Sequence, residues 1–155
     1  MIRLQATSPS DTEKADKLTD PERDQLFRSL LRKHTRIAIA GVPRAGKTTL
    51  TTLVTDREVV HTDDYIRDER GHDDWDGCPE RCAKRCPTGA LVIEGVRALA
   101  VMKLLKEPIT CVVWLNEPHR KAPKYTPKQH AAAEGRRTNF AKWLREARGV
   151  EVVRL

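Results

Sequence analysis

The residues Gly41-Val42-Pro43-Arg44-Ala45-Gly46-Lys47-Thr48 satisfy the spacing G-x-x-x-x-G-K-[ST] at every fixed position. Each position has a chemical reason. Gly41 and Gly46 let the backbone curl until several N–H groups converge on an anion, and a following helix adds its positive end. Lys47 brings a point charge to the β- and γ-phosphates, the Thr48 hydroxyl is a ligand for Mg²⁺, and Thr49 follows within reach of the phosphates. ATP with Mg²⁺ is the expected ligand pair. An ordinary glycine-rich turn is the alternative. Context argues against it, because a strand-like run, Arg36–Ala40, enters the loop and a helix-like run over 48–55 leaves it.

Carboxylates come next. His61-Thr62-Asp63-Asp64-Tyr65 follows a second short strand, 58–61. Paired acids there suit phosphoryl transfer to an alcohol. Asp63 takes or orients the hydroxyl proton, and Asp64 supports metal-bound water or the substrate. A helix cap is the competing reading, since Asp is common at helix starts. Glu94 closes a third strand, 90–94, and is a candidate for Mg²⁺ through water, for acceptor contact, or for a plain ion pair with Arg97. The metal candidates are therefore Thr48, Asp64 and Glu94, and Tyr65, Trp75 and Arg97 stand beside them as acceptor contacts. Trp75 is placed to stack on a base, whereas Trp114 and Trp143 read as core.

Charge is segregated along the chain. The net charge is +7, yet residues 61–76 hold seven acids and two arginines, while residues 117–148 hold nine basic residues against three acidic. The basic end suits phosphates or nucleic acid, or is a solvated helix face. Within it, 116–126 contains Pro118 and Pro123 and reads as a lid that closes over ATP and excludes water. Arg120 is the first candidate for neutralising charge on the transferred group. Lys124, Arg136 and Arg137 are further candidates, and solvent exposure is the alternative for each.

Cys78, Cys82 and Cys86, with His72, suggest a zinc site. Three thiols spaced by four along a straight helix extend over about 12 Å, so they cannot share one ion unless the helix breaks. Small side chains packing inward is the simpler reading.

These residues need a scaffold. A chain of 155 residues fits one compact domain, and 39% apolar residues are enough for one core. No apolar run is long enough to span a bilayer and no leader precedes the first elements, so a cytoplasmic location is expected, with reduced thiols. Residues 1–18 read as a flexible polar arm. A helix beginning near Asp20 completes an N-terminal extension, 1–35, ahead of a nucleotide-binding domain, 36–155. Helices are also expected over 97–106 and from Pro127 to Arg148, a strongly apolar strand over 109–115, and an edge strand or tail over 150–155. Alternating strands and helices predict an α/β fold, a parallel sheet covered on both faces. Ligands in such sheets bind at the carboxyl ends of the strands, which gathers residues 41–48, 62–64 and 94–95 into one crevice.

The phosphate loop, the Asp63-Asp64 pair and Glu94-Gly95 together resemble the P-loop nucleoside and metabolite kinases, such as uridine kinase and nicotinamide riboside kinase. That resemblance implies a three-layer P-loop NTPase fold of the kinase type, with Asp63 acting on the acceptor hydroxyl. The runs His61-Thr62-Asp63-Asp64, Ile93 to Leu99, Val113-Trp114-Leu115 and Tyr125 to Gln129 are similar to small P-loop proteins of bacteriophages, some of them 5-hydroxymethyluracil DNA kinases. The likeness covers about Arg36–Ala147 and implies a DNA acceptor carrying a modified pyrimidine. The N-terminal extension and the cysteine-rich segment depart from it. A free nucleoside or small metabolite as acceptor, and an ATPase or switch with no acceptor, are the alternatives.

Overall fold

The structure, a computed structural model, describes residues 19–155, so the arm over 1–18 lies outside the described residues. Five strands form one all-parallel sheet: β1 (Arg36–Gly41), β2 (Glu58–His61), β3 (Leu91–Glu94), β4 (Cys111–Leu115) and β5 (Glu151–Arg154), in the order β2-β3-β1-β4-β5. The helices are α1 (Asp20–Lys33), α2 (Lys47–Thr51), α3 (Cys78–Arg85), α4 (Ala98–Met102) and α5 (Pro127–Glu146). The step from β1 to β2 runs one way along the sheet and the later steps run the other way. Right-handed crossovers therefore put α2 on one face and α3, α4 and α5 on the opposite face. The sheet is covered on both sides, and β1, β3 and β4 are buried along their whole length.

The helix ends follow local chemistry. Thr19 caps α1, accepting from the Glu22 N–H while Glu22 reaches back to the Thr19 N–H, and Pro21 sits in the first turn. Thr126 and Gln129 repeat that reciprocal cap at the start of α5. Phe27, Leu30 and Leu31 bury one face of α1 in the core, so the extension is docked through apolar side chains. Phe140 of α5 stacks on Trp114 of β4 at 4.1 Å between centroids.

Some boundaries differ from expectation. The helix expected over 48–55 stops at Thr51, because the Thr51 and Thr52 hydroxyls bond back to the carbonyls of Thr48 and Thr49 and the chain tightens into three-residue turns. The same tightening at Leu104 and Leu105 ends α4 early. Residues 151–154 form a parallel edge strand rather than a tail.

Arg36 is a structural tie. It is 4% exposed, and its guanidinium donates to the carbonyls of Pro87, Gly89 and Glu107 at 2.8–3.1 Å, joining the first strand to the turns that enter β3 and β4. Truncation in Arg36→Ala strands those acceptors and should cost roughly 3 kcal/mol. Urea unfolding should show this as a lower midpoint with an unchanged slope. A loss below about 1 kcal/mol would remove Arg36 from this role.

Candidate functional site

The loop after β1 divides its backbone groups by direction. Every carbonyl from Gly41 to Gly46 has a donor. Lys47 Nζ donates to Gly41 O (3.3 Å) and Val42 O (2.7 Å), and Arg136 also donates to Gly41 O. The Tyr125 hydroxyl donates to Pro43 O, His119 N to Arg44 O, Arg23 Nη1 to Ala45 O and Leu50 N to Gly46 O. The N–H groups behave oppositely. Val42 N is used by Leu115 O, but among the described residues the N–H groups of Arg44, Ala45, Gly46, Lys47 and Thr48 have no acceptor. Left-handed backbone at Arg44 (φ 57°) and Gly46 (φ 92°) shapes this turn, and successive N–H groups without acceptors are the arrangement from which backbone anion sites are built. Both loop glycines are needed: a Cβ at Gly41 would stand 2.4 Å from Leu115 O, and at Gly46 the left-handed backbone itself would strain a side chain.

Lys47 sits at the edge of that turn. Burial pushes its ammonium down to about 8, Arg136 pushes the same way, and Glu94 and Asp63 pull it back up. These four charged groups therefore share one electrostatic neighbourhood. Arg136 is itself lowered, first by burial, with Asp63 opposing.

The carboxylates are placed by the ends of β2 and β3. His61 pairs in register with Glu94, and His61 Nδ1 lies 2.8 Å from Glu94 Oε2. The contact with Arg97 considered from sequence is replaced by this hydrogen bond, because the neighbouring strand brings His61 alongside. Arg97 instead lies over the Trp75 ring, 5.9 Å from its centroid. Thr62 opens a 3₁₀ turn over Thr62–Tyr65 and is fully buried against Gly95. A Cβ at Gly95 would stand 2.0 Å from Thr62 Oγ1, so only glycine lets the two strand ends meet there. Asp63 and Asp64 are both exposed on this turn. Asp63 lies in the field of Lys47 and Arg136, whereas Asp64 acts on Tyr65 and Cys82. Arg81 fastens the acidic segment by donating to the carbonyls of Tyr65, Ile66 and Asp74 and to the Asp74 carboxylate.

The expected lid, 116–126, is bound at both ends. Arg137 donates twice to Asn116 O and pairs with Glu117, so it anchors the segment. His119 Nδ1 accepts from Lys121 N, which leaves Nε2 to donate to Asp20 at 3.0 Å. Arg120 stands 3.7 Å from Asp20 at the start of α1 and is 59% exposed, and Lys124 is also exposed. Of the four cations singled out in the basic segment, the fold brings Arg136 to Gly41 and Lys47.

Cys78 and Cys82 are fully buried in or against the core, with the Cys78 thiol donating to Thr62 O, and Cys86 ends α3. Among the described residues no three His, Cys, Asp or Glu side chains are grouped to hold a metal ion. None of their helices is long and apolar enough to cross a membrane.

The sequence alone assigns no role to His61, His119, Tyr125, Arg23 or Asp24. His61 was legible as the neighbour of Asp63. The others come from α1 and the 116–126 segment, and only the tertiary fold brings them to the loop. A cleft of about 670 Å³ lies between those two segments and the loop, lined on the α1 side by Asp20, Arg23 and Asp24.

No protein-family model matches the chain, and no curated protein matches it.

Proposed function

We propose that this chain is a P-loop kinase that moves the γ-phosphoryl group of ATP to an acceptor hydroxyl, with the hydroxymethyl group of 5-hydroxymethyluracil in phage DNA as the acceptor. The observation that carries the reading is the loop over 41–48. Its carbonyls are all engaged, its N–H groups from Arg44 to Thr48 are free among the described residues, and Lys47 is beside them. A concavity of that kind binds phosphate.

The acceptor side follows from the neighbours of Lys47. Asp63 takes the proton as the acceptor oxygen attacks the γ-phosphorus. A new O–P bond forms, the bond to the β–γ bridging oxygen breaks, and ADP leaves with that electron pair. Lys47 and Arg136 hold negative charge on the phosphates. Thr48 would hold Mg²⁺, with Glu94 through water, and the ion would supply charge neutralisation on the β- and γ-phosphates. The residues fit such a weakly caged ion, since Mg²⁺ keeps several waters and takes phosphate oxygens as ligands.

A further opening of about 300 Å³ between α4 and α5 supports an acceptor within a polyanion. It begins at Gly41, and its lining includes Arg97, Lys103, Arg136 and Lys142 against one acid, Glu146. A DNA chain tracked by those cations would bind less tightly as salt rises, and its target base would have to leave the stack.

Labelled γ-phosphate transfer with Mg²⁺ tests the proposal. The acceptors are DNA containing 5-hydroxymethyluracil, ordinary DNA, a mixture of free nucleosides, and none. Label in the hydroxymethyl DNA alone is expected. Label in the nucleosides alone would make this a metabolite kinase, and free phosphate in every tube would make it an ATPase.

A further inference from the structure

α1 is not only an extension packed on the domain. Asp20, Arg23, Asp24, Phe27, Leu30 and Leu31 fall at spacings that share one helix face, and that face looks into the protein. Its apolar end is buried in the core. Its polar end meets the loop and the 116–126 segment. Arg23 Nη1 donates to Ala45 O (3.3 Å), and Asp20 accepts from His119 Nε2 (3.0 Å). The first two turns of α1 are thus fixed as part of the lining of the 670 Å³ cleft, which Thr48, Thr49, Ala122 and Pro123 also line. Asp24 lines the same cleft, partly exposed, and among the described residues its carboxylate has no hydrogen-bond or ion-pair partner.

We infer that α1 is part of the donor site and that Asp24 reads the nucleoside end of the bound triphosphate. The cleft has the size of a small-molecule site. An ionised carboxylate only accepts hydrogen bonds, so its partner must be a donor. A polyphosphate has no donors at neutral pH and is repelled by the negative charge. The nucleoside has them, as ribose hydroxyls or as N–H groups on the base. The carboxylate therefore favours the orientation in which the phosphates enter the N–H concavity and the nucleoside lies against α1. This inference rests on the phosphate-binding reading of the loop.

The test is equilibrium binding, with Mg²⁺, of ATP, 2′-deoxyATP, GTP and inorganic tripolyphosphate to the parent chain and to Asp24→Ala and Asp24→Asn. Among the described residues the Asp24 carboxylate makes no contact that folding needs, and the urea midpoints of both variants should match the parent. Tripolyphosphate should bind the parent and bind Asp24→Ala at least as tightly, because a repelling charge is gone. The preference for ATP over tripolyphosphate should fall about tenfold in Asp24→Ala, with Asp24→Asn between, since its oxygen still accepts. If 2′-deoxyATP shows no such fall, the donor is the ribose 2′-hydroxyl. If ATP and 2′-deoxyATP fall together but GTP differs, it is on the base. An unchanged ratio of ATP to tripolyphosphate in Asp24→Ala overturns the inference and leaves the loop reading standing. Failure of the parent to bind tripolyphosphate at all overturns the loop reading, and the inference falls with it.

Discussion

Lys47→Ala is expected to reduce phosphoryl transfer by about a thousandfold or more and to weaken Mg²⁺·ATP binding. In the free protein the Lys47 ammonium is held by two carbonyls of its own loop, Gly41 O and Val42 O. Those groups lie at the rim of the N–H concavity, so a short rotation of the side chain takes the charge to a phosphate. The cost of keeping that charge in a partly buried place is visible in its lowered pKa, pushed down to about 8 by burial first and by Arg136 second. A bound phosphate reverses the balance and raises it again. The sign for binding follows. Below pH 8 the ammonium is already charged, and affinity should be flat. Above pH 8 the free protein loses the proton that the complex needs, so ATP affinity should fall, by up to about tenfold per pH unit. Titration calorimetry from pH 7 to 9.5 checks both parts. The parent should show the alkaline fall, and Lys47→Ala should bind weakly at every pH without it. A parent profile that stays flat to pH 9.5 would remove Lys47 from contact with the phosphates.

Asp63→Asn should slow transfer by roughly 10² to 10⁴ while ATP affinity stays nearly unchanged. Asn has the size of Asp and can still accept a hydrogen bond, but it cannot take the proton that the acceptor hydroxyl must lose. Asp63 is the member of the pair whose charge acts on Lys47 and Arg136, whereas the charge of Asp64 acts on Tyr65 and Cys82. Single-turnover transfer and ATP binding, measured side by side, separate the two effects. Parent-like turnover in Asp63→Asn would take the base role away from Asp63. A parallel loss of ATP affinity would mean that the carboxylate acts on the donor side instead.

The elements that hold the site were largely legible from local pattern. Thr19 with Glu22 and Thr126 with Gln129 are reciprocal caps that depend on three-residue spacing alone. The strand over 58–61 is found where its pattern put it, and Arg36–Ala40 extends by one residue into Gly41. Helix lengths were harder to read. Thr51 and Thr52 belong to a plausible helical run, but their hydroxyls compete for the last carbonyls and end it. Arg120 was the first candidate and Arg136 a further one, although charge alone does not separate them. Their difference is one of reach, since α5 carries Arg136 back over the end of β1 and Asp20 holds Arg120 beside α1.

What the amino-acid order determined by itself is whatever depends on neighbours within a few residues. That includes the glycine and lysine spacing of the loop, the strand that enters it, the adjacent acids of 63 and 64, and the caps of the long helices. Period and spacing are local, and so is the chemistry they encode. Only the tertiary structure decided that His61 rather than Arg97 partners Glu94, that Arg136 rather than Arg120 stands by Lys47, and that α1 walls the cleft. Each of those outcomes depends on which strand lies beside which. That order, β2-β3-β1-β4-β5, joins residues that are tens of positions apart in the chain, and no spacing rule reaches across such a distance.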